Sequence, residues 1–315
     1  MAGSIKSRPG FYAAPVYSGV ENMKSKASVK NLYSYYLVLP ALLIYSIFFV
    51  IPAFTGFYYS FTDWRLDRLT INFVGWENFQ RIFSDKTLVL ALKNTLIFAV
   101  VTVVGKNLIG IVLAVALNMR LKTRNLLRAI FYSPSILSIL VIGIVFTPIL
   151  RTEGAINRVF DAVGLHGLSQ AWLTNPHLVI WTIAIISIWQ HAGFQMAIYL
   201  AGLQSISQEY YEAATIDGAG SWKKFTKITL PLLLPAININ LMLTLIGGLK
   251  VFSEVFVLTG GGPGNASQVV GTIILRSFGE GSWGLGTAIN TLLFVAVTII
   301  AIPLLIFMRR KEVTE

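Results

Sequence analysis

The sequence predicts an all-α integral membrane protein, and three observations carry that reading. The 315 residues are 55% hydrophobic and only 12% charged, about half the charge of an ordinary soluble domain, with a mean hydropathy of +0.69. Six apolar segments are each long enough to cross roughly 30 Å of hydrocarbon at 1.5 Å per residue. The basic residues divide unevenly between alternate loops, as membrane topology requires. A water-soluble enzyme of this composition would aggregate. Cysteine is absent, which removes disulfides, thiolate metal sites and cysteine nucleophiles. The formal net charge of +11 does not gather on one soluble face, so nucleic acid is not an expected partner.

Residues 1–34 read as a cytoplasmic tail, with Lys6, Arg8, Lys24, Lys26 and Lys30 scattered among Gly and Pro. The membrane domain follows over 35–309, and 310–315 form a short cytoplasmic C-terminal tail. The first apolar run is too long for the core of a cleaved leader. The expected spans are Tyr35–Phe61, Leu88–Leu117, Ala129–Leu150, Leu178–Leu203, Leu232–Leu258 and Leu285–Met308. Pro40, Pro52, Pro134, Pro148 and Pro303 fall inside these runs. They are expected to kink the helices rather than break them, because neighbouring helices re-satisfy the freed carbonyls. With six spans both termini share a side. That side carries fifteen Lys and Arg against eight opposite, which places it in the cytoplasm. The loop at 205–231 then faces the cytoplasm too.

That loop is the most informative stretch. Ser205-x-x-Gln208 fits a capping box, with Glu209 and Glu212 in the early turns where the helix dipole favours negative charge. Gly218 and Gly220 suit a helix stop and a turn. Ser221 is placed to cap a second helix, which Leu230-Pro231 ends where the next span begins. The expectation is a pair of short helices lying along the membrane surface. Ala213, Ala214 and Gly218 have almost no side chain, so another protein's backbone could approach closely.

The spacing Glu212-Ala213-Ala214-x3-Gly218-x9-Ile228-x-Leu230-Pro231 resembles the membrane subunits, or permeases, of bacterial ABC importers. Ser60-Phe61-Thr62-Asp63-Trp64, Lys93-Asn94-Thr95 and Leu258-Thr259-Gly260-Gly261-Gly262-Pro263-Gly264 are similar to the sugar-importing branch, and most of all to the larger membrane subunit of maltose-type importers. The resemblance implies a type I permease of six spans in a bacterial inner membrane. It implies that Glu212, Ala213, Ala214, Gly218, Ile228, Leu230 and Pro231 form the coupling helix that seats in a groove of an ATPase. It implies four partners: a second homologous permease, a cytoplasmic ATP-binding subunit dimer, an extracytoplasmic solute-binding protein and a carbohydrate. No Gly-x4-Gly-Lys-Ser/Thr phosphate loop occurs in the chain. ATP and magnesium are therefore expected on the partner ATPase, with no cofactor on this chain and no catalytic residue in it.

Ionisable and strongly polar residues inside spans usually face a bundle interior or a water-filled cavity. Lys106, Gln190, His191, Gln195, Asn238, Asn240, Lys250 and Glu254 are the candidates. By the resemblance, Gln190, His191 and Phe194, with Thr244, Gly248 and Val251, match sugar-contacting positions, although the amides found there are replaced at Gly248 and Val251. Lys250 and Glu254, four apart, would share a helix face and pair, or Lys250 could meet an acidic sugar or a glycerophosphodiester. A rival of a different class is an ion-coupled carrier with Glu254 as its proton carrier. Asp63 and Asp67 form a D-x3-D pair of the kind that holds magnesium diphosphate, and Asn265-x-Ser267 matches a short glycosylation pattern. Both read as coincidental.

Overall fold

A computed structural model describes residues 38–119 and 121–310. The expected tail at 1–34, residues 311–315 of the expected tail at 310–315, the start of the first span at 35–37, and Arg120 lie outside the described residues. The chain divides into two units at Ala53/Phe54. The first unit contributes the opening part of helix α1 (Leu39–Tyr59), apolar and largely exposed along its length, with a π turn at Ser46–Val50.

The second unit holds the rest. In order it contains α2 (Glu77–Ser84), α3 (Lys86–Asn118), α4 (Arg124–Ile136), α5 (Ile139–Ile149), α6 (Ala155–Ala162) and α7 (Val179–Ser205). Next come α8 (Gln208–Ile216), α9 (Ser221–Leu232), α10 (Leu234–Leu249), α11 (Ser253–Thr259), α12 (Val270–Gly279) and α13 (Trp283–Arg309). Among the described residues helices α1, α3, α7 and α13 are each long and apolar enough to cross a membrane, and the count rises to as many as six if each of the bent pairs α4–α5 and α9–α10 forms one span. Among the described residues the extended pairing is a single bridge, Thr62 with Phe73.

Two expected spans are interrupted. The run Ala129–Leu150 turns through 94° between α4 and α5. Pro134 opens a tight 3-10 turn, and Ser138 then adopts extended backbone and caps Val141 N–H through Oγ at 3.4 Å. Here proline chemistry ends the helix instead of only kinking it. The run Leu232–Leu258 stops at Leu249 and resumes at Ser253, although it contains no proline after Pro235. Its break is stabilised from outside, since Gly271 packs against the Val251 carbonyl and Phe252 so closely that a Cβ would overlap them. By contrast Pro303 sits inside an unbroken α13.

Helices α3, α7 and α10 form the centre. Close approach is built from small residues: a Cβ on Gly193 would overlap the Phe131 carbonyl, and one on Gly248 would stand 2.8 Å from Ala99 Cα. The apolar core is split by depth. One cluster joins Phe98, Ile142, Ile183, Val251 and Val255; another joins Ala114, Met196, Tyr199, Leu203 and Leu233. Between them in sequence level on all three helices lie buried Thr102, Lys106, Asn107, Ser187, Gln190, Gln195, Asn240 and Thr244. A polar belt at that depth has no water to satisfy it, so its groups must bond to one another or face a cavity.

Candidate coupling loop and transport site

Helix α7 runs on to Ser205, whose Oγ donates back to the Gly202 carbonyl at 2.9 Å. The cap of α8 is therefore Ser207, accepting from Glu209 N–H at 3.3 Å, and not the expected Ser205. At the other end Gly218 takes φ +71°, the left-handed conformation that glycine adopts without a Cβ penalty. Ala219 N–H donates to the Ala214 carbonyl at 2.8 Å and Gly218 N–H to the Thr215 carbonyl at 3.0 Å, which closes the helix with a Schellman-type pattern. Gly220, in extended backbone, precedes the second helix, in the capping place expected of Ser221.

The two short helices are tied together. Lys224 Nζ donates to Thr215 Oγ1 at 2.8 Å, and the Tyr211 and Thr229 hydroxyls share a hydrogen bond at 3.0 Å. Glu212 and Ala213 are exposed, Ala214 is half-buried, and a Cβ on Gly218 would meet nothing within 4 Å. Beside them Ile216 is 87% exposed and Trp222 76%, which leaves bare apolar surface next to the small residues. Ile228 and Pro231 are half-buried, and Leu230 is exposed. Helix α9 then enters α10 through a 64° bend, at which Leu233 is wholly buried against the Gly202 region of α7.

Deeper in the bundle, Tyr199 donates to Asn107 Oδ1 at 2.6 Å, Asn107 Nδ2 to Thr244 Oγ1 at 2.9 Å, and Thr244 to the Asn240 carbonyl at 2.7 Å. Asn240 Nδ2 donates to the Gln195 carbonyl at 3.3 Å. This chain of bonds joins α3, α7 and α10. Thr244 is thus a structural member of the belt, Gly248 faces α3, and Val251 belongs to an apolar cluster. Gln190 is buried with Nε2 donating to the Leu137 carbonyl at 3.1 Å. His191 and Glu254 are half-buried, while Phe194 and Lys250 are exposed. Trp189 is engaged by Phe146, ring centroids 5.1 Å apart.

The break after Leu249 removes the expected pairing of Lys250 with Glu254. They lie on either side of it, and among the described residues they form no ion pair within 4.0 Å. Glu254 instead accepts from Ser187 Oγ at 3.5 Å.

Three sequence signatures outside the coupling loop prove to be staples. Asn94 Nδ2 donates to the carbonyls of Ala266 and Gln268 at 2.8 and 2.9 Å, and Thr95 Oγ1 accepts from Val270 N–H at 3.0 Å. The glycine-rich turn is thereby fixed to α3. Asn78 Nδ2 holds the carbonyls of Ser60 and Thr62, and Trp64 packs on Tyr59 and Trp283. Asp63 accepts from Asn72 N–H at 2.7 Å, from Asn72 Nδ2 and from Arg68. Those bonds, the Asn72 N–H first, hold its carboxyl below the usual range. Asp67 is lowered by the hydrogen bond from Arg65. The D-x3-D carboxylates are spent on the loop's own basic and amide groups.

Fold and site define a polytopic helical membrane protein with a pair of short helices, Gln208–Ile216 and Ser221–Leu232, between two of its apolar helices. The family model described as the inner membrane component of binding-protein-dependent transport systems matches residues 106–310. A multiple sugar-binding transport system permease protein of Streptococcus mutans is 32% identical over 279 residues, covering 88% of this chain and 95% of the relative. A trehalose/maltose transport system permease protein of Thermococcus litoralis is 33% identical over 278 residues, covering 88% and 94%. Among solved structures, a bacterial ABC transporter involved in import of the acidic polysaccharide alginate matches with a TM-score of 0.76 at 28% identity, over 88% of this chain and 94% of that one. The chain belongs to this family of ABC importer permeases, with its type I fold.

Proposed function

We propose that this chain is one of two permeases in an ATP-driven importer that carries a mono- or oligosaccharide into the cytoplasm by alternating access. The observation that carries the reading is mechanical. A small-residue surface at Glu212–Gly218 continues through α9 and a packed bend into α10, so displacement of the loop moves a central helix. An ATPase dimer seated on that surface supplies the displacement; a homologous permease pairs with this chain, and a solute-binding protein delivers sugar from outside. The names of the relatives, which include multiple sugar-binding and trehalose/maltose systems, support a carbohydrate. A related solved complex contains an alginate pentasaccharide-bound periplasmic protein, which supports the external partner. The positive-inside count supports cytoplasmic termini.

Gly218→Trp tests the docking surface. Its φ of +71° and the added ring should abolish co-purification with the ATPase while the chain still inserts in the membrane. Unchanged co-purification would remove the docking surface from the model.

A further inference from the structure

Lys106 is the one basic residue of α3 at the depth of the polar belt, and it is only 8% exposed. Among the described residues it makes no hydrogen bond and no ion pair within 4.0 Å. Its level is fixed by packing, because Gly105 lies against Ile188 and Gly110 against Gln195. That register sets Lys106 beside the stretch Ser187–His191 of α7. The broken helix brings Glu254 to the same stretch, where Ser187 Oγ donates to one carboxylate oxygen. Glu254 is the acidic group whose charge reaches Lys106, and the charges that reach His191 are those of Lys106 and Glu254. Lys250 is exposed at the end of α10.

Opposite charges held at membrane depth and kept apart are a costly arrangement, since direct contact would offset part of their desolvation. Two such separated charges have a complementary chemistry. A hydroxyl accepts from an ammonium and donates to a carboxylate at once, and each bond polarises the other. His191 Nδ1 bonds the Ser187 carbonyl at 3.0 Å. A carbonyl can only accept, so Nδ1 carries the hydrogen and Nε2 offers a lone pair to a further hydroxyl. Phe194, 38% exposed one turn along α7, adds an apolar face for a sugar ring. A carboxylate-bearing sugar would satisfy Lys106 but set its charge against Glu254.

We infer that Lys106 and Glu254 form a split charge pair that receives the hydroxyls of a neutral sugar, making them specificity-determining residues for transport. This deepens the carbohydrate reading above and rests on it. The test uses the complete importer in ATP-loaded proteoliposomes, with uptake of neutral oligosaccharides compared with oligouronides of equal length. K106M and E254Q are each expected to lower neutral-sugar uptake at least tenfold. The K106M/E254Q double variant is expected to assemble with its partners yet remain at least tenfold impaired.

Recovery of uptake in the double variant would mean the two charges merely neutralise each other, and overturns the inference. So does failure of the double variant to assemble, or a wild-type preference for oligouronides. Absence of ATP-dependent uptake of any sugar by the wild-type importer would instead sink the carbohydrate reading itself, a distinguishable result.

Discussion

Asn94 shows how much one amide contributes and how little of that is visible in sequence. The stretch Lys93-Asn94-Thr95 resembles the sugar-importing branch, but the partners of Asn94 lie at Ala266 and Gln268, 172 and 174 residues away. Nothing local announces them. Asn94→Leu leaves two buried carbonyls unpaired and should cost roughly 1–3 kcal/mol, read as a lower melting temperature of the detergent-solubilised protein. Asp63 supplies a pH prediction. Its carboxyl is lowered from 3.8 by the Asn72 and Arg68 bonds. A lowered carboxylate stabilises above its unfolded pKa and loses that contribution as pH falls through the folded one. The turn at 61–74 should keep its amide protection at neutral pH and down to about 3.8. It should lose protection at Asn72 below that, as hydrogen exchange would report. Had protection already gone near pH 6, the carboxylate would not be holding the turn.

Among elements, the long apolar helices and the helix–glycine–helix loop were legible because hydropathy and capping chemistry are local. The two breaks were not equally legible. Pro134 marks the turn between α4 and α5, but the close approach of the α4 backbone at Phe131 to Gly193 of α7 has no local mark. The break at Lys250–Phe252 has only weak local signals, Gly247-Gly248 before it and Lys250 within it, and Gly271 of a later helix packs against its backbone. For the same reason the pairing of Lys250 with Glu254, correct for a continuous helix, fails in this one. Gly193→Val would force α4 away from α7. Overpacking of this kind costs typically 1–3 kcal/mol, so the variant should melt earlier and expose the α4–α7 seam to thiol labelling of cysteines introduced there. An unshifted melting curve would show that the seam has slack.

For the whole molecule, the sequence revealed the membrane class, the number of apolar segments and the loop on which coupling is proposed to act. It did not reveal that the polar residues of α3, α7 and α10 occupy one layer between two apolar clusters. Layering is a property of three helices in register, and no single helix carries it. Nor did it show the burial of the transport-site candidates: Thr244, Gly248 and Val251 are buried, whereas His191, Phe194 and Glu254 keep some exposure. The proposal of an ATP-driven importer makes one prediction at this scale. Uptake by the reconstituted complex should require ATP on the coupling-loop side and persist when a protonophore collapses the proton gradient. Uptake abolished by the protonophore with ATP present would favour an ion-coupled carrier.

The joint at Leu233 has a mechanical corollary. A bend with a fully enclosed side chain at its vertex behaves as a crank and not as a tether: torque applied to either arm is felt on the other. The subunit should therefore report inward as well as obey outward. In the proposed importer, a clamp on α10, such as an engineered cross-link to α3, should slow nucleotide turnover in the ATPase, which the clamp never touches.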